Sequence, residues 1–166
     1  MARILFGREE KPLRMLGPVA VAFFVLALIK ALIVLVLPEP GKVSSSVQQA
    51  LEDFGGSYLT LALVAVFIAP VLEETLFRGG LYNALRLLLR QYRFCSGVLA
   101  ALIATILSAG IFAVCHPDLA WRPFFMHFGF GLTAAELYRR TGALIAPIAL
   151  HSISNGFVVV MYALFH

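Results

Sequence analysis

Fifteen consecutive residues, Tyr58 to Leu72, carry no charge, and the run ends on two adjacent glutamates, Glu73 and Glu74, with Arg78 four residues further on. A stretch this apolar must be removed from water, and its length suits a helix in a bilayer. A carboxylate at bilayer depth costs about 3 kcal/mol on insertion scales, so intramembrane acids usually mark function. The feature therefore predicts a membrane helix with chemistry built into it.

The rest of the chain supports a membrane setting. Of 166 residues, 61% are hydrophobic and 13% charged, against roughly 45–50% and about 25% in soluble domains. Five apolar segments stand out, at about 18–37, 57–88, 95–115, 123–138 and 142–165. They predict an all-α, polytopic helical bundle with about five transmembrane segments. Residues 1–56 read as a basic tail, a first span and an outer linker, and residues 57–166 as the functional core. The first span follows a basic start and lacks a small-x-small cleavage site, so it is expected to be retained. In the linker, 38–56, Pro, Gly and Ser break the helix, and Val47 to Phe54 predict a short interfacial one.

The cations set an expected orientation. With the N-terminus in the cytoplasm and one crossing per segment, Arg3, Arg8, Lys11, Arg14, Arg86, Arg90, Arg93, Arg139 and Arg140 lie inside. Lys42 and Arg122 lie outside, a clear positive-inside bias. The net charge of +4 is explained by these helix-flanking cations and does not suggest nucleic acid. Lys30 reads as a snorkelling residue. Cys95 and Cys115 are separated by about 30 Å of expected helix, too far for a disulfide.

The second segment is too long for one straight span, at about 48 Å against a core of roughly 30 Å. Pro70 and Gly79-Gly80 are the expected kinks. Depth is open: counting inward puts Glu73 toward the cytoplasmic side and His116 near the outer side. If the two meet, the second helix must tilt, kink or sit higher.

Three constellations carry chemistry. In Glu73-Glu74-x-x-x-Arg78, Glu74 and Arg78 share a helix face, acid first, which favours an ion pair. Glu73 points about 100° away and has no local partner, as a general base requires. A packing cluster or an ion path would use the same residues. In Phe112-x-x-x-His116 the two side chains share a face; His116 could orient a water with Glu73, ligate a metal, or be an interfacial histidine at a helix end. In His151-x-x-x-Asn155 both side chains can donate to an oxyanion, or act as polar glue between helices. His127 matches none of these patterns and reads as a packing histidine. Gly129, Gly131, Ala134 and Ala135 form a small-residue surface for close helix contact.

These three motifs, in this order on three apolar helices, resemble the CPBP family of CAAX- and bacteriocin-processing intramembrane proteases, also called Abi or Rce1-type proteins. Gly131-Leu132 and the run Tyr138 to Pro147, leading into His151, extend the likeness over about residues 65–160. The resemblance implies an intramembrane endopeptidase. Glu73 would activate a water with help from His116, Glu74 and Arg78 would shape the site, and His151 and Asn155 would stabilise the oxyanion. Implied partners are the lipid bilayer and a membrane-protein, lipidated or peptide substrate, with self-association as a way to complete the site's walls. The expected location is a prokaryotic plasma membrane. No cofactor is favoured. Zinc held by Glu73, His116 and His151 is the alternative, although no His-Glu-x-x-His helix is present. A non-catalytic immunity or scaffold factor with the same fold is the rival function.

Overall fold

The computed structural model describes residues 12–38, 46–93, 95–116 and 120–165. Arg3, Arg8, Lys11, Lys42, Asp118 and His166 lie outside them. The described chain is all-helical. A single 3₁₀ turn, Pro12–Met15, leads into α1 (Leu16–Val36), followed by α2 (Ser46–Asp53). Then come α3 (Tyr58–Leu89), α4 (Gly97–Val114), α5 (Trp121–Thr141) and α6 (Ile145–Phe165). Helices α1, α3, α4 and α6 are long and apolar enough to cross a membrane. The fifth expected segment is α5, packed in the bundle against α1, α4 and α6.

The helix ends follow from local chemistry. Ser57 and Ser96 are N-caps: their hydroxyls accept from Thr60 N–H (3.2 Å) and Leu99 N–H (3.2 Å). Gly142 takes the left-handed conformation (φ 65°) that closes α5, its N–H bonding Tyr138 O at 2.7 Å. The short linker helix appears where the sequence places it.

Helix α3 is irregular around the two places where a kink is expected. It runs on past Pro70 and Gly79-Gly80 through two widened, π-helical stretches, Leu63–Ile68 and Thr75–Tyr82. The first has a clear cause. Ala69 N–H bonds Val64 O, five residues back. In that register Ala65 O would next receive the N–H of residue 70, which is proline and has none. Asn155 of α6 supplies the missing donor, its Nδ2 reaching Ala65 O at 2.8 Å. In the second stretch Asn83 Nδ2 lies 3.1 Å from Arg78 O, 3.0 Å from Gly79 O and 2.9 Å from the Tyr138 hydroxyl.

Close packing fixes the level of the acids. Phe77 of α3 meets Phe112 of α4 edge-on at 5.0 Å, near the C-terminal end of α4. The second helix therefore carries its acidic turn to the level of the motif on α4. Behind this contact Gly131 of α5 lies against Ala109 of α4; a Cβ on Gly131 would stand 2.9 Å from the Ala109 Cα. Ala104, Ala109, Ala113, Ala134 and Ala135 are fully buried, so small residues let α4 and α5 approach, as in membrane bundles generally.

Candidate active site

Glu74 is the centre of the buried polar cluster. Its side chain is 0% exposed and Arg78 is 1% exposed. Glu74 Oε1 accepts from Arg78 Nη1 at 2.9 Å, across one turn of α3, and lies 2.9 Å from His151 Nδ1 of α6. Arg78 Nη2 donates to Gly131 O on α5 at 3.1 Å. One carboxylate and one guanidinium thus tie three helices together. Aromatic faces complete the lining: the Arg78 guanidinium carbon sits 4.8 Å from the Phe112 centroid and 5.7 Å from that of Phe130. Such contacts stabilise a guanidinium removed from water.

Glu73 occupies a different environment. Its side chain is 32% exposed, and Oε2 lies 3.9 Å from His151 Nε2. That is too long for a direct hydrogen bond and within the span one water can bridge. His151 is therefore gripped on Nδ1 by the buried acid and faces the accessible acid with Nε2. Oε2 of each glutamate and Nε of Arg78 are buried without a hydrogen-bonding partner in the protein. Buried polar atoms are normally satisfied, so these unpaired atoms stand out beside the exposed part of Glu73.

The other sequence candidates take separate places. His116 lies at the end of α4, its Nδ1 2.8 Å from Phe112 O. Its ring stacks on His127 of α5, with centroids 3.9 Å apart and planes at 21°. It shares Phe112 with His151: the Phe112 ring is 4.5 Å from the His116 ring and 6.1 Å from the His151 ring. Asn155 is one turn beyond His151 and bonds the α3 carbonyl freed by Pro70. The structure thus brings Glu73, Glu74, Arg78 and His151 into one cluster, with His116 beside Phe112 and Asn155 against the first π stretch.

The alternative zinc set, Glu73, His116 and His151, is not assembled. Among the described residues no three His, Cys, Asp or Glu side chains gather as a metal site. His151 Nδ1 and Glu74 Oε1 are turned toward each other, and His116 Nδ1 toward its own helix.

Four supporting residues carried little or no functional signal in the sequence. Phe130, with its ring 4.5 Å from that of His151, and His127 were hidden because the rotation of α5 decides what they touch. Gly131 was visible as a small residue and as part of the family likeness, but nothing in the sequence marked its carbonyl as a partner of Arg78. Asn83 was unmarked, though an amide four residues after Gly79 in a helix was an available clue.

A family model, type II CAAX prenyl endopeptidase Rce1-like, matches residues 55–157. The chain is 37% identical over 101 residues to the membrane-embedded CAAX protease MroQ of Staphylococcus aureus, an alignment covering 58% of this chain and 37% of MroQ. It is 32% identical over 113 residues to YdiL of Bacillus subtilis, described as a candidate membrane peptidase, covering 68% of this chain and 41% of YdiL. The matched region therefore spans about two fifths of the length of these relatives. No solved structure matches.

Proposed function

Since the chain belongs to the Rce1-like family of type II CAAX prenyl endopeptidases, we propose that it is a membrane-embedded endopeptidase in which Glu73 activates the attacking water. The observation carrying this reading is the division of labour between adjacent acids: Glu74 is locked by Arg78 and His151, while Glu73 is accessible and faces the free nitrogen of the same histidine.

The hydrogen bonding supports a role for each group. Glu74 Oε1 already accepts from Arg78, so His151 donates to it through Nδ1–H. In the neutral ring Nε2 is then an acceptor. Glu73 Oε2 and His151 Nε2 are two acceptors facing one position, which suits a water held by both hydrogens. Glu73 takes one proton as the water attacks the peptide carbonyl and returns it to the leaving amine; general base catalysis of this kind contributes about 10²–10⁴-fold. When protonated, His151 instead presents Nε2–H to the developing oxyanion. Asn155 assists with the amide hydrogen not directed at Ala65, and His116 orients the approach of water past Phe112. Arg78, Gly131, Phe112 and Phe130 hold the constellation in place.

The substrate class is a peptide segment of a membrane or lipidated protein, and the cation bias supports a cytoplasmic N-terminus. The test is purified chain in proteoliposomes with a panel of lipidated and unlipidated membrane peptides, the fragments identified by mass spectrometry. Cleavage that Glu73→Gln abolishes, in a variant that still inserts and unfolds normally, is the expected result. Binding without cleavage, unchanged in Glu73→Gln, would identify a non-catalytic factor instead.

A further inference from the structure

A second polar feature lies well apart from the acids, at the arginine-rich end of the bundle. A cleft of about 410 Å³ opens between the end of α3, the start of α4 and the end of α5. It is lined by Arg86, Ser96, Gly97 and Arg139 on its polar side and by Val98, Ala101 and Leu102 on its apolar side. We propose that this cleft binds a phosphate-bearing anion, supplied as a lipid headgroup or as free phosphate.

The charges point one way. Arg86 is partly buried, with its Nε sealed from solvent and without a hydrogen-bonding partner. Burying an unpaired guanidinium donor is unfavourable unless an acceptor reaches it. Arg139 donates through Nε and Nη2 to Glu136 at 2.6 and 2.7 Å, which orients its guanidinium without covering all its donors. Glu136 also accepts from Arg140 Nε at 2.6 Å, so this one carboxylate is shared between two cations. Arg90 is close as well: a Cβ on Gly97 would stand 3.8 Å from its Nη2. Gly97 and Val98 contribute the first N–H groups of α4, which a helix cannot pair internally. Ser96 accepts from Leu99 N–H and keeps its own hydroxyl proton for a ligand. Guanidinium groups and free backbone donors together recognise phosphate oxygens by charge and by hydrogen bonding.

The apolar side favours the lipid source. Val98 and Leu102 are 72% and 52% exposed and continue from the cleft along the outer face of α4. A headgroup phosphate seated between Arg86 and Arg139 would leave its acyl chains against those side chains. Basic pockets between transmembrane helices on the cytoplasmic side hold anionic headgroups in this manner. The inference rests on the cleft alone and is independent of the protease reading.

The test uses the full chain in neutral detergent. Native mass spectrometry counts retained phosphatidylglycerol against phosphatidylcholine. In parallel, inorganic phosphate and chloride at equal ionic strength are compared for their effect on the unfolding temperature. The expected result is one retained phosphatidylglycerol per chain, with affinity lowered about 10-fold or more in Arg86→Gln. Val98→Trp, at an exposed position on the cleft rim, should block retention without removing a charge, and serves if Arg86→Gln does not fold. Arg93→Gln, at the same end but outside the cleft, should leave binding unchanged. Stabilisation by phosphate that depends on Arg86, without preference for phosphatidylglycerol, would support the same chemistry and assign free phosphate as the source. Equal retention of both lipids with no phosphate effect, or equal losses in Arg86→Gln and Arg93→Gln, would overturn the proposal.

Discussion

Glu74 and Glu136 are each flanked by two basic side chains, yet they do different things. Glu136 sits at the rim, 35% exposed, with Arg139 and Arg140 at 40% and 71%. Its short hydrogen bonds form between groups that water would otherwise solvate, so the pairing contributes about 0–1 kcal/mol. Glu74 is fully buried, and its partners come from its own helix and from α6. Removing such charges from water is unfavourable, and an apolar trio of similar volume could pack as well or better. The buried trio is therefore poorly explained by stability. It is well explained if its task is to fix the orientation of His151 beside Glu73.

The largest expected effect breaks the buried member. Glu74→Gln leaves Arg78 charged and without its carboxylate, and loss of one partner of a buried pair costs about 3–5 kcal/mol. Denaturant or thermal unfolding in lipid or detergent should show that loss. The next tests the frame around the pair. Gly131→Ala drives a Cβ to 2.9 Å from the Ala109 backbone and displaces the carbonyl that Arg78 uses. An overpacked contact costs about 1–3 kcal/mol, whereas Gly110→Ala, with nothing within 4 Å of the added carbon, should leave unfolding nearly unchanged. The smallest effect belongs to the rim: Glu136→Gln should shift stability by less than about 1 kcal/mol and leave any cleavage rate intact. A rim loss as large as the buried one would remove the distinction between the two regions.

What the sequence revealed follows the same division. The Glu74–Arg78 pair was legible because it needs only a helical repeat within one segment. The linker helix and the fifth packed segment were legible for similar local reasons. Depth was not, because it depends on how α3 accommodates Pro70. The π stretch left by that proline is completed by Asn155 from another helix, a contact no local rule supplies. The stacking of His127 on His116 was hidden for the same reason, since helix rotation is set by packing at Gly131 and Ala109. Of the motif residues, Glu73 and Glu74 were told apart by helical phase alone, since only Glu74 shares a face with Arg78; the structure adds that Glu74 is fully buried and also bonded to His151.

That distinction is most directly tested by measuring Glu73→Gln and Glu74→Gln side by side, for unfolding temperature and for peptide cleavage in the same proteoliposomes. The account predicts that Glu73→Gln unfolds like the parent and loses about 10²–10⁴-fold in turnover, while Glu74→Gln loses stability first. A Glu73→Gln variant that cleaves at the parent rate would contradict it.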